Sequence, residues 1–85
     1  MTISLGELLV QYQLLHPDLG REARQQYDIA VRQYALWLAR EARSDDLTSE
    51  SVGGFMIALR DAGAVSARTI NNKRGALETL TLFAV

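Results

Sequence analysis

The sequence has no cysteine, one histidine and one proline among its 85 residues. Without cysteine there is no disulfide, no thiol nucleophile and no cysteine-based zinc site. The single histidine, His16, leaves no histidine cluster for a metal, and we expect it to be solvated in the turn before Pro17. Apolar runs stop short of the ~18–20 residues that span a bilayer, and the N-terminus lacks the features of a signal peptide. We therefore expect a cytoplasmic chain without a metal, a cofactor or a membrane partner.

A strong excess of one charge is also missing. Nine basic and ten acidic residues leave a formal net charge of −1, whereas nucleic-acid-binding domains are usually basic. The charges are nevertheless segregated: residues 21–43 hold five arginines and three acidic residues, and residues 66–85 hold three basic residues and one acidic residue. Residues 1–20 and 44–65 are net acidic. Because local charge steers a polyanion, the small total does not exclude nucleic acid.

Apolar residues recur at helical spacing through most of the chain, and the alternation typical of half-buried strands is absent. Short connections between such helices predict neighbours packed in a small bundle. The pattern predicts an all-α fold, a compact orthogonal bundle of four helices in a single domain over residues 1–85. The predicted helices run from a Ser4 cap to His16-Pro17, over roughly residues 20–43, from a Thr48 cap to Gly63, and from a Ser66 cap to about Ala84.

Each predicted helix carries an apolar stripe that we expect to face the core. The four stripes comprise Leu5, Leu8, Leu9, Tyr12 and Leu15; Ala23, Tyr27, Ala30, Val31, Tyr34, Trp37 and Leu38; Val52, Phe55, Met56 and Leu59; and Ile70, Leu77, Leu80 and Ala84. The second helix also has an arginine-rich outer face, formed by Arg21, Arg24, Arg32, Arg40 and Arg43. An apolar stripe opposite a charged face is typical of an amphipathic helix at a protein surface. Because the tyrosines Tyr12, Tyr27 and Tyr34 lie on these stripes, we expect them in the core or at its rim.

Three features allow two interpretations each. Gly53-Gly54 lies inside the third helix, where another helix packs closely or glycine is merely tolerated. Asp45-Asp46 suggests a metal ligand, but without further carboxylates it is better explained as a polar hinge before a helix. Ile29 and Leu36 lie seven residues apart on the arginine side of the second helix, either as isolated exposed residues or as a docking face for another protein.

The start of the fourth helix collects polar side chains away from the predicted core. Arg68, Asn71, Asn72 and Gly75 project from the face opposite the apolar stripe. Arginine and helix N-termini contact phosphates, and asparagine pairs with adenine through two hydrogen bonds. The composition fits either a DNA-contacting helix or a solvated, well-capped helix start.

The order of residues along all four helices adds a resemblance. The similar positions are Ser4-Leu5, Glu7-Leu8-Leu9 and Tyr12; Tyr27, Val31, Tyr34 and Trp37-Leu38; Leu47-Thr48, Val52, Phe55 and Leu59-Arg60; and Thr69-Ile70-Asn71-Asn72-Lys73, Ala76-Leu77 and Phe83-Ala84. This ordered set resembles the core-binding (SAM-like) N-terminal domain of tyrosine recombinases, the phage-integrase family. The resemblance covers nearly the whole chain.

The resemblance implies a domain that forms half of a C-shaped clamp around duplex DNA at the crossover site. The nucleophilic tyrosine then belongs to a C-terminal catalytic domain absent from this sequence, so the chain itself is expected to be non-catalytic. Helices two and four are expected to face the major groove. The positions that match the family are Thr69, Asn71 and Lys73, with Arg68 beside them. Asn72 of the same helix start is added for its chemistry, and Arg21 and Arg24 by position and charge, to complete the expected DNA-binding residues. Glu78 stands where the family often has arginine, which predicts weak binding.

The expected partners are double-stranded DNA, the catalytic domain and neighbouring protomers of a recombinase assembly, with the isolated domain a monomer. The expected setting is a bacterial or phage-encoded protein at the nucleoid. The alternative hypothesis is a helical protein–protein interaction domain without nucleic-acid binding. It would use the Ile29/Leu36 face or the acidic third helix.

Overall fold

A computed structural model describes residues 2–63 and 66–84, and this part of the chain contains four α-helices and no β-strand. The helices are α1 (Leu5–Leu15), α2 (Arg21–Leu38), α3 (Ser49–Ala62) and α4 (Ala67–Ala84). A short 3-10 helix, Ser44–Asp46, precedes α3. The predicted all-α bundle of four helices is confirmed. Within the described ranges, none of the helices is long and apolar enough to cross a membrane.

The helix boundaries follow the capping residues of the sequence. Ser4, Thr48 and Ser66 each accept a hydrogen bond from the backbone N–H three residues later, at 3.1, 3.1 and 3.2 Å. Such caps satisfy donors that a helix start leaves unpaired. Gly63 ends α3 in the left-handed conformation, with φ 66°, as its predicted role at the C-cap requires.

The end of α2 differs from the prediction, because the helix stops at Leu38 and not near Arg43. Ala39 adopts φ 60° and ψ 30°, a left-handed conformation that is unusual for a residue with a Cβ atom. The chain then turns back towards the N-terminus. Leu5 N–H donates to the Ala42 carbonyl at 2.8 Å, and Ser44 N–H donates to the Ile3 carbonyl at 2.7 Å. These long-range bonds replace the intrahelical bonds that a longer α2 would have made.

The core is formed by side chains from all four helices. The largest fully buried side chains are Tyr34, Leu5, Leu77 and Leu80. Three predicted core residues are wrong: Leu15 is 68% exposed and Trp37 41% exposed, and Ala84 is exposed. Each lies in the last turn of its helix. Leu15 and Ala84 are the final residues of their helices, whereas the Trp37 indole is partly covered by Phe55 of α3. Helical periodicity predicts which face of a helix such a residue occupies. It does not show whether a neighbouring helix extends far enough to cover it.

Trp37 explains one of the two glycines of α3. A Cβ atom on Gly54 would lie 3.1 Å from Cη2 of the Trp37 indole, whereas a Cβ atom on Gly53 would meet nothing within 4 Å. The indole also packs against Tyr34 and Phe55, at ring-centroid distances of 6.1 and 5.7 Å. Close approach therefore accounts for Gly54, and tolerance accounts for Gly53.

Hydrogen bonds of Asp46 stabilise the segment that connects α2 to α3. Its carboxylate accepts hydrogen bonds from the Arg40 guanidinium and, at 2.8 Å, from Arg43 N–H. Its backbone carbonyl accepts the Tyr34 hydroxyl at 2.6 Å, and that hydroxyl lies 2.7 Å from the Ser51 hydroxyl. Within residues 2–63 and 66–84, no three histidine or acidic side chains gather into a metal-binding group. The structure supports the hinge interpretation of this acidic segment.

Candidate nucleic-acid interface

The first two turns of α2 and the facing side of α4 line an open groove of about 810 Å³. We call it the α2–α4 groove. Tyr27 and Thr79 contribute hydroxyl groups to its lining, and its charged and amide residues are Glu22, Gln25, Gln26, Arg68, Asn71 and Asn72. All six side chains are exposed. The structure therefore brings together three of the predicted DNA-binding residues, namely Arg68, Asn71 and Asn72.

Small residues from α2 and α4 also line this groove, and Ala76 is buried at its base. Ala23 of α2 and Gly75 and Ala76 of α4 line it together with Tyr27. Tyr12 packs against Tyr27, with the two ring centroids 5.4 Å apart and the ring planes at an edge-on angle of 67°. An aromatic pair of this geometry adds to the stability that burial provides. The base of the groove is thus part of the packed molecule, while its rim is polar and solvated.

Arg21 and Arg24 lie beside the groove and not in it. They line a separate hollow of about 390 Å³ together with Leu19, Gln25 and Asp28. Gln25 borders both surfaces. The predicted residues of α2 and α4 therefore occupy two adjoining surfaces, one rich in amides and the other bearing two arginines.

Thr69 belongs to the cap of α4. Its hydroxyl lies 3.1 Å from the Ser66 hydroxyl, and its N–H donates to the same oxygen at 3.2 Å. The side chain is half-buried. A DNA contact by this hydroxyl would have to compete with its bond to Ser66.

Lys73 is the predicted site residue that the structure contradicts as a surface contact. Its side chain is only 5% exposed, so it cannot extend to a ligand on the α4 surface. Lys73 follows Ile70 by three residues and precedes Leu77 by four, which places it on the apolar stripe of α4. The periodicity of the sequence already contained this signal, which the resemblance outweighed.

Glu78 lies on a different side of α4 from the groove residues. Its carboxylate is 3.8 Å from the guanidinium of Arg74. Both residues line a second groove, of about 450 Å³, between α3 and α4. The charge of Glu78 is thus opposed by a neighbour and directed away from the α2–α4 groove.

Glu22, Gln25 and Gln26 were missed as site residues in the sequence. They flank the core stripe of α2 and carry no motif, although Glu22 precedes Gln25 and Gln26 at the helical spacing of three and four residues. Only the packing of α4 beside α2 reveals that these side chains share a groove. In formal charge, Glu22 cancels Arg68, so the groove itself is close to neutral.

The two residues of the predicted docking pair on α2, Ile29 and Leu36, differ in their exposure to solvent. Leu36 is 73% exposed, but Ile29 is half-buried. Other large apolar side chains are exposed elsewhere on the described surface: Val10, Leu14, Leu15, Trp37, Ile57 and Leu82. The apolar surface is therefore spread over all four helices rather than concentrated at the predicted pair.

No protein-family model matches this chain, and neither a curated protein nor a solved structure matches it.

Proposed function

We propose that this chain binds duplex DNA as the core-binding domain of a site-specific tyrosine recombinase or integrase. In this role it docks α2 and α4 on the DNA at the crossover site during integration or recombination. The catalytic residues belong to a separate domain, and this chain supplies binding and orientation. The setting would be the bacterial cytoplasm, at the nucleoid.

One observation supports the proposal best: the exposed polar residues of α4 and α2 share one groove. Arg68, Asn71 and Asn72 belong to the predicted DNA-binding residues, and they lie opposite Gln25 and Gln26. Had the polar start of α4 been only a solvated helix end, no facing polar surface would be required. The ordered similarity along the four helices supports the proposal independently.

The mechanism divides the contacts by chemistry. Arg68 at the groove and Arg21 and Arg24 beside it neutralise backbone phosphates, since arginine presents several donors to phosphate oxygens. The amide side chains of the groove face the bases. Binding by the isolated chain is weak, because three arginines release few counterions.

Charge reversal at Arg68 tests this proposal. The variant Arg68→Glu should lower the affinity for a duplex at low salt and reduce the slope of log K against log salt by about one. The matched control is Arg60→Glu on α3, whose side chain is 71% exposed and lies outside the α2–α4 groove. Fluorescence anisotropy with a labelled duplex measures both quantities, and circular dichroism verifies that the variants are folded.

The proposal fails if Arg68→Glu and Arg60→Glu bind DNA equally well. It also fails if duplex titration shifts the amide NMR resonances of α1 and α3 but not those of α2 and α4. Lys73 is unsuitable for such a test, because a substitution of this buried residue would perturb the fold.

The second candidate is a helical protein–protein interaction domain. Exposed apolar side chains such as Leu36, Leu14 and Leu82 favour it, since large apolar residues on a surface often mark binding sites. This candidate requires no DNA affinity, so unaltered behaviour of Arg68→Glu towards DNA would support it. We rank it second because the apolar residues are dispersed.

A further inference from the structure

Four of the residues that line the α2–α4 groove carry carboxamides. These carboxamides belong to Gln25, Gln26, Asn71 and Asn72. The charged residues of the lining are Glu22 and Arg68, whose formal charges cancel. The groove therefore attracts phosphates only weakly through its charge. Its chemistry is hydrogen bonding.

Each carboxamide presents a donor and an acceptor side by side. A phosphate oxygen only accepts, so the carbonyl half of an amide finds no partner on a DNA backbone. A base edge that offers both a donor and an acceptor uses the whole amide. In the major groove adenine presents N7 as an acceptor and N6 as a donor, which matches asparagine or glutamine through two hydrogen bonds.

Two of the four amides are best suited to such a paired contact. The Asn71 side-chain oxygen already accepts a hydrogen bond from Arg74 at 3.3 Å. Gln25 also borders the hollow of Arg21 and Arg24, where phosphate contacts are expected. Gln26 and Asn72 lie on facing helices, and both line the groove. In the hydrogen bonds among residues 2–63 and 66–84, their side-chain amides take no part, so both remain available for a ligand.

We infer that Gln26 and Asn72 are specificity-determining residues that read adenine in the major groove. This inference rests on the proposed DNA-binding function and adds a sequence preference to it. Arg21, Arg24 and Arg68 position the protein on the phosphates, and the two amides discriminate among base pairs. A preference for A·T pairs at one or two positions of the site follows.

Selection from a randomised duplex pool at low salt, followed by sequencing of the bound fraction, tests the preference. The wild-type chain should enrich adenine, with discrimination of roughly 5- to 150-fold at a position read by a good bidentate pair. The variants Gln26→Ala and Asn72→Ala should each flatten the preference at one position while their affinity for unselected duplex changes less than about 2-fold. The control is Gln11→Ala, which removes an exposed amide of α1 outside the groove.

The possible results separate the two levels of the argument. Equal binding to all sequences, or a preference that survives in both groove variants, overturns the adenine assignment and leaves DNA docking intact. Loss of preference in Gln11→Ala as well as in the groove variants also overturns it. Absence of binding to any duplex at low salt overturns the proposed function and the adenine assignment together.

Discussion

Two basic side chains on α4, Arg68 and Lys73, have opposite environments. Arg68 is exposed at the groove, whereas Lys73 is buried. Their separation of five positions corresponds to about 140° of rotation around a helix, so the two side chains face different sides of α4. The aliphatic stem of a lysine packs well among apolar neighbours. The resemblance assigned Lys73 to DNA, whereas its position on the helix assigns it to the core.

Asp46 is the residue at which electrostatics and fold are most directly linked. The Arg40 guanidinium, and after it the hydrogen bond from Arg43 N–H, holds the pKa of the Asp46 carboxyl below its usual range, although burial acts in the opposite direction. The same residue receives the Tyr34 hydroxyl on its carbonyl. Burial is the main reason why the pKa of Tyr34 is raised. This cluster joins the end of α2 to the start of α3.

Replacing Asp46 should reveal this link as a dependence of stability on pH. Because the folded pKa is lowered, the carboxylate stabilises the fold above its unfolded pKa of about 3.9, and this contribution is lost as the pH falls through the lower folded value. Asp46→Asn should lower the free energy of unfolding by roughly 1 kcal/mol at pH 7, with a difference that shrinks below pH 4. Urea unfolding of both proteins across this range measures it. The exposed neighbour provides the control, as Asp45→Asn should show a smaller difference, and an equal one would contradict the assignment.

At the scale of elements, helical periodicity does not predict where a helix ends. The residues at the helix end and their contacts determine it. Helix α3 ends at Gly63, a glycine in the left-handed region, and the sequence predicted this end correctly. Helix α2 ends at Ala39 in nearly the same conformation without a glycine. Pairing of residues 3–5 with residues 42–44 requires the chain to turn there. The tertiary contacts thus override the helical preference of the residues that follow Leu38.

The two left-handed caps predict opposite responses to reciprocal substitutions. Ala39→Gly should stabilise the fold and Gly63→Ala should destabilise it, each by about 0.5–1 kcal/mol. The left-handed conformation costs alanine about 1–2 kcal/mol, which exceeds the roughly 0.5–1 kcal/mol entropy cost of glycine. Thermal unfolding followed by circular dichroism compares the three proteins. A loss of stability in Ala39→Gly would show that the α2 cap is not strained in this way.

At the scale of the whole molecule, charge is separated from hydrogen-bonding capacity. The α2–α4 groove is nearly neutral and rich in amides, and Arg21 and Arg24 lie on the adjoining surface. Arg40, which the sequence placed on the same outer face of α2, is instead paired with Asp46. Fewer arginines are therefore free for phosphates than the count along the sequence suggests.

The number of free arginines sets the expected salt dependence of DNA binding. If Arg21, Arg24 and Arg68 each neutralise one phosphate, log K should fall with log salt with a slope of about −3. The affinity should then drop roughly 40-fold between 50 and 200 mM salt. Equilibrium titration by fluorescence anisotropy at several salt concentrations measures the slope. A slope shallower than about −1 would mean that the arginines do not reach the backbone.

Part of the candidate site could be predicted from the sequence, but the full set of residues that line the groove could not. Arg68, Asn71 and Asn72 were identifiable because they oppose the apolar stripe of their own helix. Gln26 was not, since its role depends on which helix packs beside α2. Identifying it requires a contact between residues more than forty positions apart, and local pattern carries no information on such a contact.

The sequence by itself determined the four helices, the side-chain caps that begin three of them, most of each core-facing stripe and the separation of charge along the chain. These properties depend on residues a few positions apart, within reach of helical periodicity and capping. Only the tertiary structure decided where α2 ends and that amides from α2 and α4 face one another across a groove. Those features depend on packing between distant segments, whose free energy outweighs the local preferences of the residues involved.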